Sequence, residues 1–297
     1  MRVLTEHAFA KLNLSLDVGP ARGDGFHEMR TVMQAVTLFD DVTVRLVPGG
    51  KIGARSNLSY LPADSRNIAC RAAEAFFERT GMNGMGAEIR LKKRIPVCAG
   101  MGGGSSDGAA VLRALNRLTG AGLTVQELED LARPLGSDVP FCVAGGAALG
   151  TGRGDVLTPV APLRPCTIVI CKPPFSISTP ELFKLIDRRR SKTRPDTDGI
   201  IAALENGDLA GAAVRMYNVF EDVLPRRCAE IAAMKGRLTE LGAQGAVMSG
   251  TGSALFGIFS DLDCAIKARS AMQKRYRECY LAHPTPRLVI DGPKGHQ

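Results

Sequence analysis

The chain has 297 residues, 45% hydrophobic and 23% charged, which excludes disorder, collagen-like repeats and low complexity and allows two ordinary domains. Lysine and arginine number 38 against 30 acidic residues, a net charge of +8, which favours an anionic partner without choosing among nucleic acid, a membrane surface and a phosphorylated small molecule. Tryptophan is absent and only 5% of residues are aromatic, against a stacked-ring nucleic-acid platform; eight cysteines without a Cys-x-x-Cys pair read as reduced thiols of a cytoplasmic protein, and neither a secretory signal nor a membrane span is read.

Residues 8–18 alternate with the period of a strand. Ala8, Ala10, Leu12, Leu14, Leu16 and Val18 share one face, and Lys11, Asn13, Ser15 and Asp17 the other. Lys11 and Asn13 therefore point the same way. A glycine turn at Gly23-Asp24-Gly25 leads to two apolar strand segments, 31–39 and 42–47. Residues 67–80 read as a helix, 87–95 as an alternating strand, and 105–118 as a helix with Ser105, Ser106 and Asp107 as candidate caps. The next helix opens on a capping box, Thr124 with Glu127. Strands and helices are thus mixed rather than strictly alternating, which argues for the α+β class.

The second half begins with a strand at 166–171. Thr179-Pro180 opens a short helix to about residue 187, followed by a solvated basic loop at 188–195. A helix at 227–241, a strand at 254–259 and a long helix at 261–280 follow, and the end beyond 290 reads as frayed. The domain boundary is placed near residue 160, giving domains 1–160 and 161–297, with no internal repeat.

The chemistry concentrates in Pro96-Val97-Cys98-Ala99-Gly100-Met101-Gly102-Gly103-Gly104-Ser105-Ser106-Asp107. Four glycines in five positions run into a helix N-terminus, where free N–H groups and the positive end of the helix dipole make a nest for phosphate. The Lys-Ser/Thr pair of a Walker loop is missing, and Ser105 stands where a dinucleotide fingerprint needs its third glycine.

This stretch resembles the phosphate-binding motif of the galactokinase, homoserine kinase, mevalonate kinase and phosphomevalonate kinase superfamily, the GHMP kinases. Ala10-Lys11-Leu12-Asn13-Leu14 is similar to its N-terminal motif and Met248-Ser249-Gly250-Thr251-Gly252-Ser253 to its C-terminal glycine motif. Arg22-Gly23-Asp24-Gly25-Phe26-His27 and Gly136-Ser137-Asp138-Val139-Pro140-Phe141 resemble the branch whose acceptor alcohol is cytidylylated. The resemblance implies two α+β domains, the first like ribosomal protein S5 domain 2 and the second ferredoxin-like. It implies transfer of the γ-phosphoryl of ATP, accompanied by Mg²⁺, to the 2-hydroxyl of a cytidylylated methylerythritol in isoprenoid precursor synthesis, with neither nucleic acid nor membrane as partner.

Carried over residue by residue, the resemblance makes Asp138 the acceptor of the hydroxyl proton and Lys11 its partner and a stabiliser of developing charge. Pro96, Ala99, Gly100, Met101, Gly102, Gly103, Gly104, Ser105 and Ser106 form the ATP loop, with Asn67 near adenine and Lys93 on the nucleotide side. Asn13 reaches the polyol. Phe26 stacks on cytosine, His27 bonds to the base edge, Phe183 closes the other side, and Gly250 and Gly252 allow close backbone approach. Phe26 stands where the family usually has Tyr, and Cys98 and Met101 depart from the usual loop residues. No separate Glu for Mg²⁺ is identified, which leaves Ser106 as its one candidate contact. Two other functions compete: a kinase of a simpler alcohol, against which Phe26-His27 discriminates, and an RNA-binding module suggested by the basic charge. A catalytically silent nucleotide sensor is disfavoured by the presence of both Lys11 and Asp138.

Overall fold

The computed structural model describes residues 2–189 and 193–290. Residues 190–192 of the expected basic loop and the tail beyond 290 lie outside the described residues.

The first strand, β1 (Val3–Ala21), pairs antiparallel with β2 (His27–Pro48) across the turn that carries Phe26. The two segments expected at 31–39 and 42–47 are one strand. Asp40, which was read as a break, is fully buried and accepts from the backbone N–H groups of Arg94 and Ile95 and from the Lys93 ammonium. Strand β3 (Ile52–Ser56), helix α1 (Ile68–Thr80) and strand β4 (Met85–Lys92) follow, β4 lying between β2 and β3. The α1 N-cap is Asn67, whose side chain accepts from the Ala69 N–H.

Helix α2 (Gly103–Thr119) begins two residues earlier than expected, and its N-cap is Gly102 in the left-handed region with no side-chain cap bond. The glycine loop itself forms the first turn, so the expected caps are corrected. Ser106 instead donates to the Phe9 carbonyl at 2.7 Å, and Asp107 pairs with Lys93. Helix α3 (Val125–Ala132) carries the capping box of Thr124 and Glu127. Then come α4 (Val139–Ala144), hidden in the sequence by its brevity and by Pro140, and the hairpin β5 (Ala147–Thr151) and β6 (Val156–Pro159), whose first strand pairs with β2.

The second sheet has the order β11-β7-β10-β9, all antiparallel: β7 (Thr167–Lys172), β9 (Gly245–Met248), β10 (Leu255–Phe259) and β11 (Glu278–Ala282). Between β7 and β9 run α5 (Thr179–Arg188), α6 (Thr197–Glu205), α7 (Leu209–Val214), β8 (Tyr217–Asn218) and α8 (Ala229–Glu240). The helix expected at 261–280 is corrected to α9 (Leu262–Gln273) followed by β11. Tyr276 and Cys279 continue the helical spacing of Ala265, Ala268 and Met272, but their burial comes from the second sheet and its helices.

Three apolar cores result. One lies between the first sheet and α1 to α4, including Phe76, Leu112 and Phe141. A second joins the sheets, where Ala10, Leu12 and Leu14 of β1 meet Ile168, Ile170, Phe256 and Ile258. The third lies between the second sheet and its helices. Each fully buried Leu, Ile or Phe contributes about 1.5–3 kcal/mol, so the junction between the sheets is itself a stabilising apolar core. Register shifts in β1 between Phe9 and Ala10 and between Asn13 and Ser15 turn its apolar face from one core to the next. Lys11 and Asn13 are thereby left against the glycine loop and α4. No helix among the described residues is long and apolar enough to cross a membrane.

Candidate active site

The glycine loop is held from behind. Lys11 N–H donates to the Met101 carbonyl, Ala254 N–H to Ala99, and the Ser249 hydroxyl to Gly100 at 2.9 Å. With these carbonyls turned inward, the first N–H groups of α2, which have no intrahelical partner, remain for an anion.

The loop stands between two clefts. One, of about 660 Å³, contains Lys11, Asn13, Phe26, His27, Asp138 and Phe183, with Gly250 and Gly252 at its rim. The other, of about 550 Å³, contains Asn67, Lys93 and the loop residues from Pro96 to Ser105, Ala99 and Met101 among them. Cys98, Gly100, Gly102, Ser105 and Thr179 border both. The loop backbone is therefore a wall common to both clefts.

Lys11 is buried and donates to Asn13 Oδ1 at 2.8 Å, and its Nζ lies 3.4 Å from Asp138 Oδ2. The Asn13 amide in turn donates to Thr31 Oγ1 at 2.8 Å. Asp138 occupies the N-cap position of α4 but makes no cap bond, so its carboxylate is free to face Lys11, and its side chain is 38% exposed to the cleft. The α4 helix is fixed at its other end by Arg113 of α2, whose guanidinium donates to the carbonyls of Cys142 and Val143.

Lys93 lines the smaller cleft, and its ammonium points to Asp40 and Asp107, each at 2.5 Å, and to the Gly103 carbonyl at 3.4 Å. It thereby anchors the start of α2 from below. Burial opposes its charge, but the two carboxylates more than offset that and hold its pKa above the ordinary value. Burial pushes the Asp107 carboxyl up to about 7, against the pull of Lys93. Because that folded value lies above the unfolded one near 4, the folded protein binds the extra proton between about pH 4 and 7. Stability from this group is full at the acid end and is lost as pH rises through that window. Asp107→Asn should therefore narrow the difference in melting temperature between pH 5 and pH 8, measured by calorimetry; an unchanged difference would contradict the assignment.

Asn67 also borders the smaller cleft, with its amide bonded to the Pro62 carbonyl at 2.9 Å and its oxygen capping α1. The Ser106 hydroxyl is oriented by its bond to the Phe9 carbonyl, which leaves its oxygen lone pairs unengaged by that bond.

At the far end of the larger cleft, His27 stacks on Phe183 with ring centroids 5.0 Å apart, and Phe183 meets Phe220 edge-on at 5.1 Å. His27 Nε2 lies 2.8 Å from Asp187 Oδ1, a partner from α5 that orients the imidazole. Phe26 is 48% exposed beside it. Gly250 and Gly252 have φ of +55° and +79°, and the Gly250 carbonyl accepts from buried Asn218 at 2.7 Å. Asp187 and Asn218 carried no local signal, since each acts on a segment far away in the chain.

Residues 67–146 match the GHMP kinases N terminal domain and residues 200–278 the GHMP kinases C terminal domain. The chain is 41% identical over 282 residues to the 4-diphosphocytidyl-2-C-methyl-D-erythritol kinase of Alkaliphilus metalliredigens, covering 95% of this chain and 97% of the relative. It is 42% identical over 272 residues to the same kinase of Syntrophomonas wolfei, with 92% and 95% covered. A crystal structure of a 4-(cytidine 5'-diphospho)-2C-methyl-D-erythritol kinase superposes with a TM-score of 0.79 at 35% identity, covering 95% of this chain and 99% of that one. A homoserine kinase from Cytophaga hutchinsonii shares the fold, with a TM-score of 0.77 at 22% identity over 99% and 97% of the two chains.

Proposed function

The chain belongs to the GHMP kinases, and among them to the 4-diphosphocytidyl-2-C-methyl-D-erythritol kinases, and on that footing we propose that it moves the γ-phosphoryl group of ATP onto the 2-hydroxyl of 4-diphosphocytidyl-2-C-methyl-D-erythritol. The observation that carries this reading is the loop shared by two clefts, with Lys11 and Asp138 on the acceptor side. ATP lies in the smaller cleft with its phosphates on the α2 N-terminus. The acceptor lies in the larger one, polyol toward Asn13 and base toward Phe26, His27 and Phe183. The division of the chain near residue 160 and a cytoplasmic location belong to the same proposal.

Phosphoryl transfer through a loose transition state needs an aligned nucleophile and compensation of charge. Asp138 accepts the hydroxyl proton as the oxygen attacks. Lys11 fixes the Asp138 carboxylate and offers positive charge to the group in flight, and the α2 N–H groups hold the phosphate oxygens. Magnesium finds no protein cage here. Among the described residues no three His, Cys, Asp or Glu side chains gather to hold a metal. The ion would be carried by the nucleotide phosphates, where it would offset their charge.

Phosphorus NMR of the product tests transfer to a hydroxyl. It should show one new phosphomonoester resonance with the diphosphate signals retained, whereas cleavage of the diphosphate would contradict the reading. Phe26→Ala tests the base pocket: stacking on a base is worth roughly 1–3 kcal/mol, or about 5- to 150-fold in affinity. Acceptor KM should rise in that range while ATP Kd and melting temperature hold. A general fall in melting temperature with acceptor KM unchanged would make Phe26 structural.

A further inference from the structure

The turn between β5 and β6 leans on the Phe26 segment. Gly152 N–H donates to Glu28 Oε1 at 2.9 Å, and the Gly152 carbonyl accepts from Met29 N–H at 2.7 Å. Arg153, next in the chain, lies with its guanidinium carbon 4.8 Å from the centre of the Phe26 ring. Asp155 holds it there. Its Oδ1 accepts from the Arg153 backbone N–H at 3.2 Å and its Oδ2 from Nη2 at 3.1 Å, and the Asp155 side chain is only 6% exposed.

Phe26 has no hydroxyl with which to anchor itself, and it projects from an exposed turn. Its ring orientation depends on what lies against its faces. A guanidinium against one face is favourable, because the ring quadrupole attracts the cation, and it leaves the opposite face for a flat ligand. Arg153 also lines the larger cleft. We propose that Arg153, fixed by Asp155, is a positioning residue that holds the Phe26 ring by one face so that the other receives the acceptor's base. The inference rests on the reading that Phe26 stacks on that base.

A double-mutant cycle separates the two. Arg153→Met keeps the length of the side chain and removes its charge, and it should raise acceptor KM by about 2- to 5-fold, the worth of an exposed cation–π contact, with kcat and ATP KM unchanged. In a Phe26→Ala background the same substitution should add nothing, and Arg153→Lys should restore part of the loss. An equal rise in both backgrounds, or no rise in either, would overturn the proposal while leaving the stacking reading intact. Phe26→Ala with unchanged acceptor KM would overturn the stacking reading and the proposal with it.

Discussion

Asp138→Asn is expected to lower turnover by about 10²- to 10⁴-fold, the usual worth of a positioned general base, with ATP affinity within a factor of two of the original. The two effects separate because of where Asp138 sits. Its carboxylate opens into the larger cleft, where Lys11 Nζ lies 3.4 Å from it. The nucleotide cleft is bounded by the loop and by α1, and Asp138 is not among its walls. Asparagine has nearly the same shape and retains an oxygen for Lys11, so the fold of α4, held by Arg113 and by buried Val139, Pro140 and Phe141, should not change. What is lost is the ability to accept a proton. Turnover within a factor of three of the original, measured at saturating ATP and acceptor, would remove Asp138 from the chemistry.

The second large effect is expected at Gly100. A methyl group there would lie 2.0 Å from the Ser249 carbonyl oxygen and 2.9 Å from the Gly252 nitrogen, and φ is +73°, a conformation that L side chains rarely adopt. Both neighbours are backbone and cannot swing aside. Gly100→Ala must therefore part the phosphate loop from the loop carrying Gly250 and Gly252. Backbone strain of about 1–3 kcal/mol, placed on the conformation that binds, corresponds to roughly 5- to 150-fold weaker ATP binding. Acceptor KM should rise as well, since both clefts share Gly100. Calorimetric titration with ATP, with a melting curve to verify folding, checks this; native ATP affinity in a folded variant would contradict the loop's assignment. Gly103 is a gentler position. Its added carbon would meet the Ile95 side chain at 3.1 Å and point away from the open side of the loop.

The legible parts of this protein are those in which a local pattern has one physical cause. Alternation through residues 8–18 places Lys11 and Asn13 together because a strand has a period of two. Glycines running into a helix expose N–H groups whatever the remainder of the fold does. The capping box at Thr124 is equally local. The parts that could not be read depend on contacts distant in sequence. Asp187 reaches His27 across 160 residues and Asn218 reaches Gly250 across 32. Lys93 carries no local sign that Asp40, 53 residues away, and Asp107 enclose its ammonium. The end of α9 was missed for a related reason: Tyr276 and Cys279 fit a helical stripe, and only pairing of β11 with β7 shows that they belong to a turn and a strand. The glycine loop was thus easier to find than the residues that hold it in place.

The central claim is that the acceptor alcohol carries a cytidine base, and the most direct measurement is ADP release from the intact protein with ATP and a panel of alcohols. The account predicts saturable release with 4-diphosphocytidyl-2-C-methyl-D-erythritol and at least 100-fold lower kcat/KM with mevalonate, homoserine, galactose and the uncytidylylated methylerythritol phosphate, on the order of what unpaired polar groups and lost stacking cost. Comparable kcat/KM for the cytidylylated and uncytidylylated acceptors would show that Phe26, His27 and Phe183 recognise no base, and the assignment of the larger cleft would be wrong.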